Sequence, residues 1–207
     1  MRVSSGVVSD RSFVRFGGLA GILLAITSWT AVVSYYTVAK AGADVIGLQV
    51  FQLLYALIAF WALFGIVAVY WIVRVHGEAW SFFATLIGVS ASLGTITSSL
   101  YAAAVIREVA ARPNLVTPAA TPTDPLSVMT FALTGLWFLI ANALLWKAAY
   151  PRLLVALGFV AVADLFVGFF AALSGNATVL TYAGIVAGAV GGPLYWLWLG
   201  ILLRRRA

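Results

Sequence analysis

The chain has 207 residues, 64% of them hydrophobic and 9% charged, with a net charge of +6 and a mean hydropathy of +1.08. Globular domains carry about 25% charged residues, so this much apolar surface excludes a water-soluble fold and any sizeable soluble domain. With no cysteine and a single histidine, His76, the composition excludes disulfides, thiolate sites, bis-histidine haem and multi-histidine metal centres, and no cofactor or metal is expected.

A membrane-crossing helix needs about 20 mostly apolar residues. Six runs qualify: 16–38, 50–73, 80–106, 128–146, 153–173 and 179–203. They are too long for barrel strands and lack a period-two alternation. The expected fold is all-α, a single polytopic transmembrane bundle of six helices.

The first run is read as a span rather than a cleaved leader, because it is too long for one and carries Trp29, Tyr35 and Tyr36. Its Gly21, Ala25 and Ser28 form a weak small-residue seam, and Thr27 and Ser28 place hydroxyls near mid-membrane. The second run ends at a loop bearing Arg74, His76 and Glu78. The third carries a stripe, Ser81, Thr85, Gly88, Ser92, Thr95, Ser99 and Ala102, at alternating spacings of four and three. Small residues let helices approach closely in lipid, so this helix is expected at the centre of the bundle.

A long loop, 107–127, follows. Pro113, Pro118, Pro122 and Pro125 with interleaved threonines mark it as an extended tether between two three-helix halves, with a lid or docking segment as the alternative. Arg107 and Glu108 at its start are expected to form a surface ion pair. The fourth run contains Asn142 and leads through Pro151 into the fifth, so the two should form a tight antiparallel hairpin. The fifth contains Asp164, the one charged residue well inside any run. Asn176-Ala177-Thr178 matches a glycosylation tripeptide of low specificity. In the sixth, Gly184, Gly188 and Gly192 form two overlapping Gly-xxx-Gly steps, expected to serve internal packing, with a homodimer or partner face as the alternative. Gly191-Gly192-Pro193 is expected to kink it.

The basic residues set the orientation. Nine fall on one side (Arg2, Arg11, Arg15, Arg74, Lys147, Arg152 and Arg204 to Arg206) and three on the other (Lys40, Arg107 and Arg112). By the positive-inside rule both termini are cytoplasmic. Tryptophans and tyrosines cluster near the span ends as an aromatic belt; Trp29 and Trp61 sit near mid-span instead. Because the basic residues lie at segment ends, they specify topology, and a nucleic-acid partner is not expected; the bilayer is.

A charge at the bilayer centre costs about 2.5–3.5 kcal/mol on insertion scales, which makes Asp164 the leading site candidate. By depth its expected neighbours are Ser92 and Thr95 on the third span and Thr27 and Ser28 on the first, with Asn142 somewhat nearer the cytoplasm. No basic residue reaches this layer, so the neutral acid is favoured. The expected role is a helix-to-helix hydrogen bond; the alternative is proton exchange or cation binding. No catalytic residue is assigned. There is no nucleophile–base pair or aspartate dyad inside the membrane, no intramembrane lysine for a Schiff base, and only Arg74, His76 and Glu78 as a loop cluster.

The second half also carries a likeness. Phe131-Ala132-Leu133-Thr134-Gly135-Leu136-Trp137, then Trp146, Tyr150-Pro151-Arg152-Leu153-Leu154, and Gly192-Pro193-Leu194-Tyr195-Trp196-Leu197-Trp198 are the residues concerned. Residues 127–203 resemble a domain-of-unknown-function family of uncharacterised six-helix bacterial integral membrane proteins. That resemblance implies a fold and an inner-membrane location and transfers no catalytic residues. The expected function is a small bacterial membrane protein without enzymatic chemistry, an accessory subunit or small-ligand binder. A proton- or cation-coupled transporter using Asp164 is the first alternative, and a lipid-modifying enzyme at the cytoplasmic face the second.

Overall fold

The computed structural model describes residues 6–39, 45–112 and 125–206, and in them every regular element is helical. Helix α1 (Gly6–Ser34) continues into a π-helical turn, Tyr35–Ala39. Helix α2 (Val45–Val73) ends in a 3₁₀ turn, Arg74–His76, and α3 (Glu78–Ala111) follows after Gly77. Helices α4 (Pro125–Lys147) and α5 (Arg152–Leu173) form the expected tight hairpin. The sixth span stays helical throughout, but its regular hydrogen-bond ladder breaks in the middle: α6 (Ala177–Ile185), a π-helical segment (Val186–Gly191) and α7 (Gly192–Arg206). Among the described residues six segments are long and apolar enough to cross a membrane, 11–37, 45–76, 78–108, 128–147, 152–173 and 177–206, and the protein is a multi-pass integral membrane protein. Helix α3 runs on past residue 106 to Ala111; residues 113–124, which hold most of the proline-rich loop, lie outside the described residues, as does Lys40.

Both turns flanking α5 have one design. After α4, the Tyr150 N–H reaches the Leu145 carbonyl and the Ala149 N–H the Trp146 carbonyl, with Ala149 at φ 53°. After α5, Asn176 reaches Ala171 and Gly175 reaches Ala172, with Gly175 at φ 69°. These are paired six-to-one and five-to-two bonds of a Schellman cap, which needs a left-handed residue. Asn176 then caps α6 through its side-chain oxygen, which accepts from the Val179 N–H.

The helices pack as a ring in chain order. Each of α1 to α5 lies against its successor, α6 lies against α5, and α7 closes the ring against α1. Helix α3 contacts α2 and α4 on the ring, so it is not the central helix its stripe implied. The stripe is nonetheless the buried face: Ser81, Gly88, Ser92, Ser99 and Ala102 are all buried, while Ser90 and Thr97 point outward. A small-residue seam thus records close approach to neighbours, not central position.

The middle of the ring, toward the end where Lys147 and Arg204 to Arg206 lie, is filled by aromatics. Trp137 of α4 and Trp196 of α7 stack with centroids 5.4 Å apart and planes 5° apart, and Phe138 and Tyr195 pack beside them. Glycines make room: a Cβ at Gly88 would lie 2.6 Å from Trp137, and one at Gly65 would abut Trp196 at 2.5 Å. Lipid tails are as apolar as leucine, so dense van der Waals contact, and not exclusion from water, holds such a core. A crevice beside it, between Ile66, Val69, Ser81, Thr85 and Leu144, leaves no room for a water molecule.

The two glycine seams exchange roles. The weaker one works: Gly18 and Gly200 back directly onto each other, Gly21 meets the Trp196 carbonyl, and Ala25 is fully buried, so α1 and α7 touch backbone to backbone. The stronger one packs internally only loosely at its first two glycines. A Cβ at Gly184 would meet nothing within 4 Å, and one at Gly188 only the Tyr55 hydroxyl at 3.7 Å.

Candidate functional site

Asp164 lies on α5 three residues after buried Ala161 and four before buried Gly168, but four after exposed Val160 and three before exposed Val167, so helical periodicity places it at the edge of the inward face. The residue is half-buried, and its Oδ2 is fully buried with no hydrogen-bond partner. Helix α5 packs against α4 and the sixth span; α1 and α3 are not among its principal neighbours. The hydroxyls expected beside Asp164 therefore sit elsewhere on the ring. They also bond within their own helices: Thr27 donates to the Leu23 carbonyl at 2.7 Å, Ser28 to Leu24 at 2.9 Å and Thr95 to Ala91 at 3.0 Å. Ser92 is buried on the seam of α3. Equal depth in the membrane does not make two residues neighbours when their helices are not adjacent.

The helix-to-helix hydrogen bond exists, but a different residue makes it. Asn142 of α4 has no exposed surface. Its Nδ2 donates to the Phe138 carbonyl at 2.8 Å, and its Oδ1 accepts from the Tyr195 hydroxyl of α7 at 3.2 Å. Gly158 of α5 lies so close that any Cβ there would overlap the Asn142 amide. One polar side chain thus joins three helices, and both of its polar atoms are satisfied in the dry core.

Sequence reasoning missed a second tie, although its signal was present. Pro193 lacks an N–H, so the carbonyl four residues back, Ala189, loses its usual donor. The Trp29 indole of α1 supplies one, with Nε1 3.0 Å from that oxygen. The π-helical segment absorbs the remaining mismatch, with Gly192 N–H bonding to the Ala187 carbonyl. The mid-membrane tryptophan, the proline and the break in the sixth span are therefore one device. The other mid-span tryptophan, Trp61, packs half-buried against the core beside Phe64.

At the basic end, the Arg74 guanidinium lies 3.9 Å from the Trp71 ring centroid, while His76 and Glu78 are exposed. Among the described residues no three His, Cys, Asp or Glu side chains are grouped to hold a metal. At the α4–α5 turn, Arg206 lies 4.3 Å over the Tyr150 ring and Arg152 6.0 Å from the Trp146 ring. Burial pushes the Tyr150 hydroxyl above its ordinary pKa, and the Arg206 charge opposes part of that rise. At the opposite end Glu108 pairs with Arg112 at 3.8 Å, one helical turn away, in place of the expected Arg107.

Comparison with family models, with curated proteins and with solved structures gave no match.

Proposed function

We propose that this is a small integral membrane protein of the bacterial inner membrane, with both termini cytoplasmic. It acts as an accessory or small-ligand-binding subunit with no catalytic chemistry of its own. One observation carries the ligand reading: the buried, unpartnered Oδ2 of Asp164. An unmatched polar atom in hydrocarbon costs several kcal/mol, so a cation or hydrogen-bond donor from outside the chain that reached it would be bound in proportion. The structural role first expected of Asp164 belongs to Asn142, which leaves the carboxyl available. The orientation rests on the nine-to-three division of basic residues, and an even number of crossings returns both termini to one side. The bacterial inner-membrane location is proposed only on the resemblance noted in the sequence of residues 127–203.

The test is to extract wild type and Asp164→Asn from the native membrane into lipid discs and identify what each retains by mass spectrometry. A small molecule or protein held by wild type and lost from Asp164→Asn is the expected result. Identical retention by both would sink the reading.

A second reading, a proton- or cation-coupled transporter, is favoured by one further observation. The π-helical segment of the sixth span packs against α5, the helix that carries Asp164; π-bulges are frequent at functional sites, and intramembrane acids mark proton and ion pathways. Reconstitution into vesicles with an internal pH dye distinguishes it, since a binding subunit produces no Asp164-dependent flux. The lipid-enzyme reading has no comparable support, because Arg74 is engaged by Trp71.

A further inference from the structure

We propose that the α4–α5 turn, together with the end of α7, binds the phosphate of an anionic phospholipid headgroup. Lys147, Arg152 and Arg204 to Arg206 are all exposed, and among the described residues none of them has a carboxylate partner. Two of these cations are held in place. Arg152 lies over Trp146 and Arg206 over Tyr150, on either side of one four-residue turn. A guanidinium resting on an aromatic face keeps its N–H edge free for an oxyanion, and its position is already fixed.

One further feature points to the same ligand. Helix α5 begins at Arg152 behind Pro151, with no side chain capping its first N–H groups, and uncapped helix starts favour phosphate. The surroundings select a lipid over free phosphate. Trp146 is 56% exposed and Leu153 73% exposed, so the turn is flanked by apolar side chains that acyl chains would cover. This site is separate from Asp164 and does not depend on the reading of that residue.

The experiment titrates the full-length protein in neutral detergent with phosphatidylglycerol, phosphatidylcholine or inorganic phosphate and counts adducts by native mass spectrometry. Wild type should retain phosphatidylglycerol well above phosphatidylcholine. The Arg152→Gln, Arg206→Gln double variant should lose roughly tenfold or more of that retention, at about 1 kcal/mol per basic residue near an anionic surface. The Arg152→Lys, Arg206→Lys variant keeps the charge but loses the stacked planar fork, so its retention should fall between wild type and the Gln pair, which separates lost charge from lost fold. Arg107→Gln with Arg112→Gln, at the opposite end, should change nothing. Equal retention of the two lipids, wild-type retention by the Gln pair, or full displacement by millimolar inorganic phosphate would each overturn the assignment.

Discussion

Asn142 is the residue on which three spans converge, and its energetics follow from what each substitution leaves behind. Tyr195→Phe removes one hydrogen bond and leaves the amide oxygen buried. Asn142→Leu removes the acceptor and strands the Tyr195 hydroxyl among Trp137, Phe138 and Trp196. Interhelical hydrogen bonds in membranes average about 0.6 kcal/mol in double-mutant cycles, with a maximum near 1.7. A cycle through these two variants, read by thermal unfolding in detergent, should return a coupling in that range; zero coupling would mean the bond carries no stability. Asn142 was legible in the sequence only as a polar residue at a certain depth. Its partner was not, because nothing local to residue 142 encodes that α7 closes the ring opposite it. Ala149 offers a second test. It occupies the left-handed position that Gly175 fills in the sister turn, and a side chain there costs about 1–2 kcal/mol. Ala149→Gly should therefore raise the unfolding temperature, whereas the same change at a right-handed position would lower it.

At the scale of elements, the sixth span shows how a sequence feature acquires its partner. Pro193 announced a break, but the donor that makes the break tolerable comes from another helix, 160 positions away in sequence. Trp29→Phe should destabilise the protein by about 0.5–1.5 kcal/mol, the net value of a typical hydrogen bond. In a Pro193→Ala background the penalty should shrink, because that substitution restores a backbone N–H for the Ala189 carbonyl; an equal penalty in both backgrounds would dissociate the tryptophan from the proline. The glycines give a complementary contrast. Gly158→Ala drives a methyl into the Asn142 amide and should be severely destabilising, whereas Gly184→Ala meets open space and should be neutral within about 0.5 kcal/mol. The Gly-xxx-Gly spacing alone ranked these the other way. Such a motif states that close approach is possible, and only the arrangement of helices decides where it is used.

For the whole molecule, the number of spans and their membrane character were legible because bilayer thickness dictates run length, and six runs of the required length stand out. Ring order was not, because apolar side chains suit lipid and protein neighbours equally, and hydroxyls satisfied within their own helices point to no partner. The same indifference separated Asp164 from the hydroxyls assigned to it by depth. What survives is a half-buried carboxyl at the edge of the inward face, with one oxygen lacking a donor, in a bundle whose buried amide, Asn142, has both its oxygen and its nitrogen hydrogen-bonded. The proposed ligand role requires this carboxyl to be reachable by a partner from outside the chain. A lipid-soluble carbodiimide, which couples to protonated carboxyls in apolar surroundings, tests it in native membranes with peptide mass spectrometry as the readout. Modification at Asp164 of the folded protein, absent from Asp164→Asn, is the predicted result. An unmodified Asp164 under conditions that leave the fold intact would contradict it, and would return the residue to a sealed structural role.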